Sequence, residues 1–65
     1  MQILLWEIRT NKGFSLRKLA DATGISKTAL NDIENQKVSP TLIQLEAMAK
    51  GLGVRITDLF ESDYK

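Results

Sequence analysis

Apolar residues along this chain recur three and four positions apart, and no stretch alternates cleanly with period two. That pattern predicts helices and no strand. Five helices are expected. The first runs about Gln2 to Lys12, with Leu5 and Ile8 on one face and Gly13 as a natural residue just past its end. Ser15 then follows Phe14 and precedes Leu19 by four positions. Ser15 can cap a helix while Phe14 and Leu19 pack across its start. Helix 2 is predicted over about Leu16–Thr23, ended by the left-handed conformation that Gly24 adopts readily. The same device repeats as Ile25, Ser26 and Leu30, opening helix 3 over about Lys27–Glu34. Helix 4 begins after Pro40, where Thr41 and Gln44 have capping-box spacing, and Leu42, Leu45, Ala49 and Leu52 form an apolar stripe. Gly51 within it costs roughly 1 kcal/mol against alanine, and Gly53 is the expected stop. Helix 5 is short, about Ile56 to Phe60, and residues 61–65 read as frayed.

Two helix starts eleven residues apart, Ser15 and Ser26, with Gly24 between them, make a helix-turn-helix over about residues 15–35. Leu16, Leu19 and Ala20 face inward from helix 2. Alanine at position 20 lets helix 3 cross closely at a steep angle. Ile25 plugs the core from the turn, and Leu30 and Ile33 are the inward face of helix 3. Lys27, Thr28, Asn31, Asp32 and Asn35 are left pointing outward. In DNA-binding versions of this motif the second helix enters the major groove.

Composition narrows the choices. Sixty-five residues allow one domain, residues 1–65, which buries only roughly 60% of the surface its unfolded chain exposes. The chain has no cysteine and no histidine, which removes disulfides, the two best zinc ligands and the commonest general base. A reducing, cytoplasmic setting fits. No apolar run approaches the roughly 20 residues of a membrane span. The MQILLWEI start is too short and too charged at its end for a signal peptide. Met1 reads as an initiating residue, and nothing comparable marks the C-terminus. Net charge is only +1, but it is unevenly spread. Residues 9–37 carry six cations against three anions, and residues 51–65 carry two against three. A basic centre with an acidic tail leans towards nucleic acid, although scatter in so small a sample also produces it. No glycine-rich phosphate loop, metal-ligand spacing or nucleophile–base pair is present. Ser15, Ser26 and Ser39 are explained as caps or turn residues. No enzyme, cofactor, metal or small-molecule ligand is therefore expected.

The chain resembles the Cro and phage-repressor helix-turn-helix domains, also called the XRE family. The resemblance rests on Leu5, Ile8 and Arg9, then Ser15-Leu16 with Leu19-Ala20, Gly24-Ile25-Ser26, Leu30 and Ile33-Glu34-Asn35. Pro40-Thr41-Leu42 with Leu45, Ala49, Leu52-Gly53-Val54 and Leu59-Phe60 complete it, over about residues 3–60. It implies an all-α, compact, lambda-repressor-like domain of five helices. It also implies sequence-specific binding of double-stranded DNA, usually by a homodimer on a two-fold operator. Base contacts would come from Lys27, Thr28, Asn31 and Asp32. Phosphate contacts would come from the helix starts and the loop after helix 3, through Arg17, Ser26, Asn35 and Lys37.

The chain departs from the family pattern at several positions. Leu16 stands where many members carry a glutamine or threonine that holds a phosphate, so backbone N–H groups must serve there. Gln36 replaces a common glycine, so Asn35 or Gln36 must make the turn, and asparagine tolerates it better. Arg55 stands where a capping serine is common, which weakens the start of helix 5. Lys27-Thr28 replaces a familiar glutamine pair, so no base preference transfers.

Each outward residue has an ordinary reading beside the functional one. Lys27 can donate to guanine O6 and N7, or sit solvated or on a phosphate. Thr28 suits a base edge or a thymine methyl, and Asn31 suits adenine. Asp32 is repelled by phosphates but can accept from cytosine N4, or act by rejecting wrong sequences. Lys37 and Arg17, with Lys18 and Lys12, are phosphate candidates or plain surface charge. Arg9 could clamp a phosphate, but the family's matching positions favour a buried ion pair with Glu34. Ile3, Leu4 and Trp6 are more apolar than helix 1 needs. Trp6 covers helix 5 or the end of helix 4, or else joins Leu59, Phe60 and Tyr64 in a dimer patch.

The expected function is a sequence-specific DNA-binding regulator of transcription. The rival is a protein-interaction module, antitoxin-like or anti-repressor, that keeps the fold without reading bases. The low net charge, Asp32 and Leu16 lean that way.

Overall fold

Four α-helices, one 3₁₀ turn and a two-stranded sheet build the domain in a computed structural model that describes residues 1–65. In chain order these are β1 (Gln2–Ile3), α1 (Leu5–Asn11), α2 (Leu16–Thr23), α3 (Lys27–Glu34) and α4 (Leu42–Leu52). The 3₁₀ turn Ile56–Leu59 and β2 (Phe60–Glu61) follow.

The three central helices begin and end where local chemistry dictates. Ser15 and Ser26 are extended caps whose hydroxyls accept the backbone N–H of Lys18 (3.0 Å) and Ala29 (3.1 Å). Gly24 ends α2 at φ 74° and Gly53 ends α4 at φ 70°, a region where a Cβ is disfavoured. Thr41 and Gln44 form a full capping box, with reciprocal bonds of 3.0 and 2.9 Å.

Both ends of the chain depart from the sequence expectation. The first helix starts at Leu5 rather than Gln2, because Gln2 and Ile3 pair antiparallel with Glu61 and Phe60. The expected fifth helix is a single 3₁₀ turn. It stops because Phe60 is extended (φ −151°, ψ 159°) and enters β2. Two-residue strands have no periodicity to detect, which is why a wholly helical chain was expected. At Arg55 the missing serine cap is partly offset, since the Asp58 carboxylate accepts the Arg55 N–H at 3.0 Å. The arginine side chain has no acceptor with which to return the bond. Glu61 belongs to β2, and residues 62–65 make local exposed contacts beyond it. Ser62 Oγ accepts the Tyr64 N–H (3.1 Å), and Lys65 Nζ donates to the Phe60 carbonyl (3.0 Å).

One apolar core joins all of these elements. Leu5, Leu19, Leu30, Ile33, Met48 and Leu59 have almost no exposed surface. Ile3, part of the unexplained apolar surplus at the N-terminus, is buried as the core residue of β1. Leu42, expected on the buried stripe of α4, is instead 78% exposed, and Met48 fills the inward position. Gly51 has a packing reason, because a Cβ there would meet Thr23 Cγ2 at 3.3 Å and Ala22 Cβ at 3.4 Å. A side chain there would force Thr23 to give by a few tenths of an ångström where α4 approaches α2.

Candidate nucleic-acid interface

The surface of interest is built on α3, and three links set where α3 sits. Its start is fixed by Ser26 and by the Gly24 turn from α2. Its inward face is fixed by Leu30 and Ile33, both in the core. Its last turn is held by an ion pair. Arg9 Nε and Nη2 donate to the two carboxylate oxygens of Glu34, while Arg9 Nη1 donates to the Phe14 carbonyl at 2.7 Å. The Arg9 and Glu34 side chains are only 12% and 5% exposed. One guanidinium thus joins α1, the turn before α2 and the end of α3. With its donors turned inward it is not arranged as a surface phosphate clamp.

Lys27, Thr28, Asn31 and Asn35 stand exposed on the opposite face of α3, with Asp32 half-buried beside them. Residues three and four apart share a helix face, so these side chains form one polar strip. Within it Asn35 Nδ2 donates to the Asn31 carbonyl (3.0 Å) and side-chain Oδ1 (3.3 Å). Asn35 thus bonds the Asn31 amide oxygen from the next turn of α3. Ser26 and Arg17 are exposed at the starts of α3 and α2. The backbone N–H groups of Lys27 and Thr28 have no partner within the chain, as expected for a first helical turn. Lys18, a lesser phosphate candidate, rests its ammonium 4.4 Å from the centre of the Phe14 ring. Leu16 packs against the core and carries no polar group to this surface.

Of the two residues able to make the turn after α3, the less tolerant one makes it. Gln36, not Asn35, adopts positive φ (62°). Its N–H donates to the Ile33 carbonyl (3.1 Å) and that of Lys37 to the Asp32 carbonyl (2.9 Å), the two bonds of a Schellman ending. Lys37 emerges exposed directly beyond the turn. Gln36 was not foreseen as a site residue beyond its turn, and its bonding partner, Ile3, lies 33 positions away.

The apolar patch suggested for the termini does not form as drawn. Leu59 is fully buried, whereas Trp6 is 55% and Tyr64 98% exposed. Two shallow clefts near the N-terminus are the only concavities, and no group of three or more acidic residues is placed to hold a metal. No helix is long and apolar enough to cross a membrane.

A fold of this kind, with a capped α2–turn–α3 unit and a polar outer strip on α3, defines the helix-turn-helix class. A family model described as Helix-turn-helix matches residues 7–59. The chain belongs to that family, in its Cro and phage-repressor (XRE) branch. It is 46% identical over 50 residues to the HTH-type transcriptional regulator SutR of Escherichia coli, covering 77% of this chain and 28% of SutR. It is 34% identical over 61 residues to the HTH-type transcriptional regulator PuuR of the same organism, covering 94% of this chain and 33% of PuuR. Among solved structures, the restriction-modification controller protein C.AhdI from Aeromonas hydrophila superposes with a TM-score of 0.82. It is 28% identical, with 86% of this chain and 85% of that one covered. The chain thus spans about a third of the two regulators but most of the controller protein.

Proposed function

We propose that this chain is a DNA-binding domain that regulates transcription by occupying a specific site on duplex DNA. The observation that carries the reading is the polar strip of α3, exposed on a helix whose other face is locked into the core and whose end is pinned by Arg9 and Glu34. With α3 in the major groove, Lys27, Thr28, Asn31 and Asp32 face base edges, and α2 crosses the backbone. Arg17, Ser26, Asn35, Lys37 and the free N–H groups at the start of α3 face phosphates. Relatives named as transcriptional regulators, and a controller protein of similar size, support the same reading.

The domain acts as a homodimer in this reading. The charge of one copy is too small for strong phosphate binding, and a second copy doubles the contacts. Two α3 helices roughly 34 Å apart would then read one face of a two-fold site. The test is selection of bound duplexes from a random library at moderate salt, followed by sequencing. An enriched inverted repeat is expected. Asn31→Ala should relax discrimination at one position of each half-site by about 1–3 kcal/mol while leaving the fold intact. Absence of enrichment, with only weak salt-sensitive retention, would favour the protein-interaction module instead.

A further inference from the structure

Gln36 carries the only positive φ outside glycine, and it sits where glycine would need no compensation. Its side chain is fully engaged. Oε1 accepts the Ile3 N–H at 3.1 Å, and Nε2 donates to the Ile3 carbonyl at 2.8 Å. The strand pairing explains why both Ile3 groups are available. Ile3 lies opposite Phe60, while the neighbouring Leu4 N–H donates to the Leu59 carbonyl at 2.8 Å. Alternation along an antiparallel ladder then turns both polar groups of Ile3 away from β2. The Gln36 amide closes that outer edge as a third strand would.

The turn after α3 is therefore held at two points. The Schellman bonds tie it to α3, and the Gln36 amide ties it to β1, whose Ile3 side chain is buried in the core. Lys37, the next residue, lines an open cleft of about 240 Å³ together with Ile3, Gln36, Val38 and Ser39. A glycine at position 36 would make the turn without strain but would leave it attached to α3 alone. A turn held on one side samples more positions, and a charge on it meets a phosphate less often in the productive geometry.

We infer that Gln36 is a positioning residue for DNA binding. It fixes the turn so that Lys37 is held ready against the phosphate backbone at the end of α3. This rests on the DNA-binding reading above and adds to it a residue that touches no DNA.

The experiment is a double-mutant cycle between position 36 and Lys37→Gln. It is read as affinity and salt dependence on a duplex recovered from the library selection. Gln36→Gly and Gln36→Asn both accept positive φ, and neither reaches Ile3, so the two together guard against one failing to fold. Circular dichroism at the binding temperature checks folding, and amide exchange at Ile3 reports directly on the clamp. Exchange at Ile3 should speed up in both variants. Lys37→Gln should lower affinity and reduce the salt slope by about one ion in the parent chain. It should do at least about threefold less damage in the Gln36→Gly background, a coupling typical of residues that act together. Equal loss from Lys37→Gln in both backgrounds would overturn the positioning role, as would unchanged affinity in Gln36→Gly. Failure of the parent chain to bind any duplex would instead overturn the DNA-binding reading, a result the Ile3 exchange rate does not depend on.

Discussion

The α2–α3 unit and the strand closure at the chain termini hold the same core together by opposite means. In α2–α3 the determinants lie within a few residues of what they determine. Ser15 caps the N–H of Lys18, Gly24 turns the chain, and Ser26 caps Ala29. In the closure they lie far apart. Gln2 and Ile3 depend on Phe60 and Glu61, and Ile3 depends again on Gln36. The ends of α3 are set by local signals, but an eight-residue helix is marginal on its own and draws its stability from packing Leu30 and Ile33 into the core. Its placement on the body of the protein comes from long-range contacts. The Arg9–Glu34 pair spans 25 positions and the Gln36–Ile3 clamp spans 33.

The sharpest way to break that contrast is to remove the largely buried ion pair at the end of α3. Arg9→Ala or Glu34→Ala leaves a charge largely buried and unpaired, which typically costs about 3–5 kcal/mol. A 65-residue domain with roughly 0.05–0.15 kcal/mol of stability per residue has little more than that to lose. We expect a fall in the thermal midpoint of more than about 10 °C for either variant, and partial unfolding at room temperature. The double change Arg9→Met with Glu34→Leu should recover much of the loss, because no lone charge remains. A melting temperature unchanged in Arg9→Ala would show the pair to be ornamental.

Ile3→Ala probes the core anchor of the terminal closure. Truncating a buried isoleucine costs about 2–5 kcal/mol, and the effect here should lie at the lower end because β1 sits at the margin of the core. Urea unfolding would measure it, and a loss under about 0.5 kcal/mol would mean that the strand pair contributes little. The smallest effects belong to the local signals. Ser15→Ala and Ser26→Ala should each cost about 1 kcal/mol, visible as midpoint shifts of about 4–8 °C. Should either cap exceed Arg9→Ala in cost, the division between local shaping and long-range placement would fail.

Much of this molecule was legible from the chain, and the division follows the same line. Helices α2, α3 and α4 lie over the expected residues because serine and threonine caps and glycine stops act through bonds between near neighbours. The outward strip of α3 was legible because burial of Leu30 and Ile33 fixes which way the helix is turned. What was missed had its partner elsewhere. Ile3 looked like surplus apolar surface until Phe60 and Leu59 came beside it. Helix 5 shrank to one 3₁₀ turn because Phe60 extends to pair with Ile3. Leu42 fits the spacing of the α4 stripe, but it lies in the first turn, beyond the reach of the core.

The amino-acid sequence by itself determined the helix-turn-helix unit, its caps and its polar outer face, because caps and glycine stops act over at most four or five residues and the apolar spacing of Leu30 and Ile33 marks the face that turns inward. Only the tertiary structure decided how the two termini close on each other and which residue makes the turn after α3. A positive φ is unfavourable for glutamine locally. It becomes acceptable at Gln36 because a strand from the other end of the chain offers its side-chain amide both a donor and an acceptor.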